Sequence, residues 1–368
     1  MTTREGQDVM TGSAPETSGQ ASPTALDPTD GTASPAGLDL AALTGFFDAR
    51  VPGRRGPLRA TLLHGGRSNL TYRVWDDASR WVVRRPPLGG LTPSAHDMSR
   101  EYRVVAALGG TDVPVPRAVA LCEDVRVIGA PFSVVSLVEG AVIRTREDLD
   151  AYSDAQVVRA AFGLVTALAR LHAVEYPQVG LADFGRPAGY LGRQVGRWWD
   201  QWSRVATREL ADIAALHALL AERLPPESGA AIVHGDARID NAILDPDDLG
   251  TVRALVDWEM ATLGDPLADL ALAVVYHDPA FEPVLGGSAA SASDRMPSTD
   301  VLIETYAAAS GRDVVNFDFY LALGYFKSAV IAEGIHSRYI RGKTVGDGFE
   351  TVEAAVPDLA AAGLRALR

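Results

Sequence analysis

The sequence predicts an α+β fold of two lobes, a β-rich N-terminal lobe followed by a mainly helical C-terminal lobe. Three observations predict it. Short apolar runs bounded by Gly, Pro and Asn fill the chain up to residue 138; beyond it, apolar residues recur at helical spacing over long windows. Within that helical part, His234, Asp236, Asp240, Asn241 and Asp257 stand at the ends of short strands, where carboxylates make poor core and good metal or proton handlers. The expected organisation is a disordered tail over 1–36, a nucleotide-covering sheet lobe over 37–138 and a helical lobe over 139–368, with a ligand in the cleft between the lobes.

Residues 1–36 are rich in Thr, Ser, Gly, Pro and Ala, and no aromatic precedes Phe46, so this segment buries too little surface to order itself. Leu40, Leu43, Phe46 and Phe47 mark a first helix over 38–51. Strands are expected over 58–63, 70–75 and 81–85, the first two joined by the loop His64-Gly65-Gly66-Arg67-Ser68-Asn69. Its glycines and small polar side chains would let backbone N–H groups approach a phosphate, although an ordinary hairpin turn has the same composition. A helix over 96–108 places Met98, Tyr102, Val105 and Leu108 on one face with Glu101 beside them. The prolines at 114 and 116 force an extended segment, and strands follow over 118–121 and 131–138.

The texture then becomes helical, with helices over 154–172, 190–207 and 213–224. Strands over 230–233, 242–244 and 254–256 carry the polar cluster. A helix over 269–276, a Ser, Ala and Gly-rich loop over 278–297, and helices over 299–310, 318–339 and 351–367 complete the chain, which shows no internal repeat.

Composition bounds the partners. A formal net charge of -13 argues against a nucleic-acid backbone or an anionic membrane as main partner, while leaving small anionic ligands open. A single cysteine excludes an internal disulfide and suits a reducing compartment. Arg159, Arg170 and Asp269 interrupt the longest apolar runs, so no membrane span is expected. No signal-peptide core is visible either, which makes the cytoplasm the expected location.

A hairpin would turn Asp236, Asn241 and Asp257 towards one volume. Two carboxylates and an amide offer only oxygen ligands, which suits Mg²⁺ completed by phosphate oxygens and water. Phosphoryl transfer asks for little more: positioning, charge neutralisation and a carboxylate that accepts a hydroxyl proton.

The stretch from His234-Gly235-Asp236 to Asn241, followed by Asp257-Trp258-Glu259, resembles the paired signatures of the aminoglycoside phosphotransferase and choline kinase-like enzymes, relatives of the protein kinases. The resemblance extends over nearly the whole chain after the tail: 65–69 is similar to the family's phosphate-covering loop, 81–87 to its third strand, 100–102 to its paired helix and 131–140 to its hinge. It implies a protein kinase-like fold and a kinase dependent on ATP and Mg²⁺. Asp236 would be the base, Arg238 would neutralise the transferred phosphoryl group, and Asn241 and Asp257 would hold the metal. Gly66, Ser68 and Asn69 would meet the phosphates, and Ser136 and Val138 the adenine. The strand lysine of the family is absent; by register Arg84 replaces it, facing away from Val83 and Arg85, with Glu101 as its partner. His234 is expected to be structural, Asp265 and Asp269 to cap or brace a helix, and Glu259 to be either a second metal contact or a surface carboxylate.

Residues 68–72, 84–87 and 263–269 look closest to the branch found fused to acyl-CoA dehydrogenases, which implies a hydroxyacyl thioester as the small-molecule hydroxyl substrate. Arg338, Arg341 and Lys343 would then meet its acidic groups. The alternatives are an aminoglycoside phosphotransferase, disfavoured by the basic, apolar C-terminus, and a non-catalytic nucleotide-binding module.

Overall fold

A computed structural model describes residues 31–63, 69–88, 97–285, 287–344 and 348–368. It has the two-lobed, protein kinase-like α+β architecture: an antiparallel sheet followed by a helical region. Helix α1 (Leu40–Arg50) starts where the Asp39 carboxylate accepts from the Ala42 N–H, and it lays Leu43 and Phe47 on the sheet. Strands β1 (Arg59–Leu62), β2 (Leu70–Trp75), β3 (Arg80–Arg85), β4 (Ala118–Cys122) and β5 (Phe132–Ser136) form one sheet in the order β1-β2-β3-β5-β4. On β3 the alternation is strict: Trp81, Val83 and Arg85 are buried on the α1 side, and Arg84 faces the other way.

Residues 31–36, expected within a disordered tail, are placed against this sheet. The Gly31 carbonyl accepts from the Ala60 N–H, and the Ala36 carbonyl accepts from the Tyr72 hydroxyl. Hydrogen bonding along the strands orders a segment too polar to bury itself.

Helix α2 (Met98–Leu108) is capped by Asp97 and buries Met98, Glu101, Val104, Val105 and Leu108. Tyr102, expected on that face, is only half-buried, and Val104 takes its place. Val104, Val105 and Leu108 join the core of the helical region rather than that of the sheet, so α2 ties the two lobes together by packing.

Short helix α3 (Arg146–Leu149) leads into α4 (Asp154–His172), α5 (Tyr190–Val205) and α6 (Ala211–Glu222). Two small hairpin-like sheets carry the polar cluster: β6 (Ala231–Val233) pairs with β9 (Thr262–Gly264), and β7 (Ala242–Leu244) pairs with β8 (Val252–Leu255). Helix α7 (Pro266–Val275) begins earlier than expected because Asp265 caps it, its carboxylate accepting from the Leu267 N–H with Pro266 at the first helical position.

The Ser, Ala and Gly-rich segment expected as a loop contains α8 (Glu282–Leu285) and a 3-10 turn at Ala290–Ala292 whose residues are buried. Small side chains there permit close packing on the turn at Ile239–Asn241, which composition alone does not distinguish from a loop. Helices α9 (Thr299–Ser310), α10 (Phe317–Ile340) and α11 (Val352–Ala366) close the chain. Among the described residues, no helix is long and apolar enough to cross a membrane.

Candidate active site

The site begins at a glycine. Strand β6 ends at Val233, and the chain reverses through Gly235 at φ +79°, where a Cβ would stand 2.8 Å from the Met260 carbonyl oxygen. The turn is held by a buried carboxylate: Asp269 accepts from the N–H groups of His234 (2.6 Å) and Gly235 (2.8 Å) and lies 3.1 Å from His172 Nε2. Tyr306 completes that chain at 2.7 Å from His172 Nδ1. Asp269 therefore braces the Gly235 turn instead of its own helix, whereas Asp265 caps α7 and also accepts from Ser228 and Tyr320. His234 sits against Trp258 and its Nε2 is 3.1 Å from the Val256 carbonyl oxygen, which makes the ring part of the scaffold.

Asp236 follows the turn. Its Oδ1 accepts from the Tyr276 hydroxyl at 2.6 Å, its Oδ2 accepts from Asn241 Nδ2 at 2.9 Å, and Arg238 Nε stands 3.4 Å away. Burial raises the pKa of this carboxyl, but Arg238, the Tyr276 hydroxyl, His234 and Lys327 outweigh it and hold Asp236 below the usual carboxylate range. It is thus ionised at neutral pH and able to accept a proton. Arg238 also pairs with Asp240 at 3.2 Å and lies 5.4 Å above the Tyr276 ring. Burial, against the attraction of Arg238, leaves Asp240 above its ordinary value.

Asn241 spends its amide N–H groups on the Asp236 carbonyl and carboxylate, both at 2.9 Å, leaving its Oδ1 as the group with coordinating chemistry. Asp257, at the end of β8, adopts a left-handed conformation at φ 66°, a conformation that costs a non-glycine residue on the order of 1–3 kcal/mol. One of its oxygens meets Arg84 Nη2 at 2.9 Å. Arg84 Nε is also 3.2 Å from Glu101 Oε1, close enough for charge pairing but not aligned as a hydrogen bond. The guanidinium therefore bridges α2 to the residue expected to hold metal. Burial raises the Glu101 pKa, with Arg84 offsetting part of the effect and Asp257 adding to it.

Across the cleft, Asn69 is buried and donates from Nδ2 to Glu259 Oε2 at 3.1 Å, so half-buried Glu259 is tied to the sheet lobe. Gly66 and Ser68 lie outside the described residues. Ser136 is engaged in the sheet, its N–H donating to the Arg117 carbonyl and its hydroxyl accepting from the Arg117 N–H. Val138 is half-buried at the hinge beyond it.

Two site residues escape a reading of the sequence. Tyr276 ends an apolar helix and resembles core until its hydroxyl is seen on Asp236. Lys327, in the middle of α10, donates to the Gly235 carbonyl at 3.0 Å. A lone lysine inside an otherwise apolar helical run was the available signal.

The profile of the phosphotransferase enzyme family matches residues 59–302. The chain belongs to this family. The chicken (Gallus gallus) acyl-CoA dehydrogenase family member 11 is 37% identical over 317 residues, covering 84% of this chain and 40% of that protein. The chain thus spans less than half the length of that relative. A crystal structure from Ralstonia eutropha JMP134, provisionally named an aminoglycoside phosphotransferase, superposes with a TM-score of 0.77 at 31% identity, covering 89% of this chain and 98% of the other. The GDP complex of aminoglycoside 2'-phosphotransferase-IIIa has a TM-score of 0.60 at 16% identity, covering 88% and 99% of the two chains, a likeness of fold. Like other members of the family, this protein is a phosphotransferase with hydroxyl groups as acceptors. Acyl-CoA dehydrogenase chemistry belongs to the relative as a whole and is not carried over.

Proposed function

We propose that this phosphotransferase is a kinase that moves the γ-phosphoryl group of Mg-ATP to the hydroxyl of a small, anionic acceptor, with a hydroxyacyl thioester as the favoured class. The observation that carries the reading is Asp236: an ionised carboxylate oriented by Tyr276 and Asn241, with a second carboxylate, Asp257, just beyond strand β8.

Asn241 Oδ1 and the Asp257 carboxylate would supply an oxygen-only pair, the donor set a magnesium ion takes from a protein when phosphates and water fill the rest of its shell. Buried Asn69 Oδ1 and Glu101 Oε2 have no hydrogen-bond donor among the described residues, which fits a cleft whose polar inventory a ligand completes. When bound, the metal neutralises phosphate charge. Arg84, held by Glu101, would meet the phosphates together with Gly66, Ser68 and Asn69, while Ser136 and Val138 would border the adenine. The Asp236 carboxylate takes the acceptor hydroxyl proton as the acceptor oxygen bonds to the γ-phosphorus and the bond to the bridging oxygen breaks, releasing ADP. Arg238 stands beside the transferred group.

The acceptor side supports an anion. Lys327 and Arg238 flank Asp236, and exposed Arg144 and Arg197 lie close enough to act on Asp240 and Lys327 respectively. Cations in that position repel an aminoglycoside and attract carboxylate or phosphate groups. Exposed Arg341 and Lys343 follow α10, on the order of 20 Å along the helix from Lys327 at about 1.5 Å per residue, a span that a long thioester covers and a short alcohol does not.

The test is mass-spectrometric detection of phosphate esters across hydroxyacyl-CoA esters, choline-like alcohols and aminoglycosides, with Mg-ATP as donor. Esters of the hydroxyacyl class are expected; phosphorylation of the aminoglycosides alone contradicts the acceptor assignment. Nucleotide binding with no ester in any class favours a non-catalytic binding module.

A further inference from the structure

We infer that Lys327 is a positioning residue for the base: its ammonium clamps the Gly235 carbonyl and so fixes where Asp236 stands. The inference rests on the kinase reading above. Gly235 has one peptide neighbour held by a buried anion and the other by a half-buried cation, since its N–H donates to Asp269 Oδ1 (2.8 Å) and its carbonyl accepts from Lys327 Nζ (3.0 Å). The glycine lies at φ +79° directly before Asp236, so a rotation of its carbonyl peptide swings the following Cα and with it the carboxylate. Asp269 comes from α7 and Lys327 from α10, two helices that pack on each other, and the turn is thereby pinned to the rigid core rather than to its own loop.

Lysine is an expensive choice for a core helix. It is flanked by buried Phe326 and Ser328, and its ammonium lies 5.7 Å from the Trp198 ring. Burial pushes its pKa down to about 8; Asp236 and Asp269 pull it up, and Arg197 of α5 adds to the depression. Among the described residues, Asp236 and Asp269 are the acids that act on it; α6 carries His217 beside Phe326, itself shifted down by burial, and Glu353 of α11 pairs with Arg208 and His336 instead. A residue retained only for packing has no reason to be a cation here. The ammonium is present below about pH 8 and lost as pH rises through that value; the neutral amine still donates, but without its charge, so the clamp weakens at alkaline pH.

The test compares full-length wild type with Lys327→Met and Lys327→Arg. For Lys327→Met, kcat falls by about tenfold to a hundredfold while KM for Mg-ATP stays within about twofold, the pattern of a misplaced base. Lys327→Arg restores most of kcat and moves the alkaline limb of the kcat profile to higher pH, because guanidinium stays charged. Amide hydrogen exchange over 231–241 quickens in Lys327→Met, and Lys327→Arg returns it towards the wild-type rate. Wild-type kcat with an unchanged alkaline limb in Lys327→Met overturns the inference. So does a lowered midpoint with no rescue by Arg, the signature of a residue needed only for folding. If wild type phosphorylates no acceptor, the kinase reading fails on its own, and unchanged exchange over 231–241 in Lys327→Met still overturns the clamp.

Discussion

Replacing Arg84 with methionine removes the cation that joins the sheet lobe to the metal-side carboxylate. Its guanidinium stands 3.2 Å from Glu101 and 2.9 Å from Asp257, and both arginine and Glu101 are largely shielded from water. At an effective dielectric near 20, each contact is worth roughly 5 kcal/mol of gross attraction, about 10 kcal/mol together. Most of that is offset by the desolvation of three charges and by the Glu101–Asp257 repulsion. Measured losses for breaking one side of a buried pair are about 3–5 kcal/mol, and the deficit here should fall in that range. For a chain of this size that is a drop of roughly 4–7 °C in melting midpoint.

The pH dependence identifies the cause. Glu101 is already raised by burial, and without Arg84 it rises further. A carboxyl with a raised folded pKa contributes most below its unfolded pKa and loses that contribution as pH rises through the folded value. The Arg84→Met deficit, measured by differential scanning fluorimetry against wild type, should therefore be largest at pH 8 and shrink towards pH 5. An equal deficit at both values, or none, refutes the assignment of Arg84 as the bridge.

Asp236→Asn should lower kcat by about a thousandfold or more, as loss of a general base does, while calorimetry finds Mg-ATP affinity little changed. Gly235→Ala forces a Cβ to within 2.8 Å of the Met260 carbonyl at a left-handed φ; chemical denaturation should read a loss of about 2 kcal/mol or more. Tyr276→Phe removes the donor to Asp236 Oδ1, so kcat should fall by about threefold to tenfold and its acid limb should move to higher pH, since that hydroxyl helps keep the carboxyl depressed.

The parts of the site that were legible in the sequence are those whose geometry is local. His234 to Asn241 is one turn and Asp257 follows the strand paired beside it, so spacing alone already puts Asp236, Asn241 and Asp257 at neighbouring strand ends. The facing of Arg84 followed from strand alternation alone. Long-range partners were not legible. Asp269 lies in the first turn of α7, where a carboxylate ordinarily serves its own helix, and only the tertiary fold turns it onto His234 and Gly235. Tyr276 and Lys327 reach the site from helices whose patterns report burial and not what the polar tip touches. Residues 31–36 have a disordered composition yet pair with the sheet, because the bonding partner, Ala60 or Tyr72, lies elsewhere in the chain.

The central claim is that Asp236 drives phosphoryl transfer from Mg-ATP to a hydroxyl. ATP labelled in the γ-phosphoryl group, incubated with wild type, Asp236→Asn and the acceptor panel, tests it directly. Wild type should give labelled phosphate ester and ADP in equal amounts, dependent on added Mg²⁺ and lost in Asp236→Asn. Labelled ester formed at the same rate by both proteins, or none from a wild type that binds Mg-ATP, would contradict it.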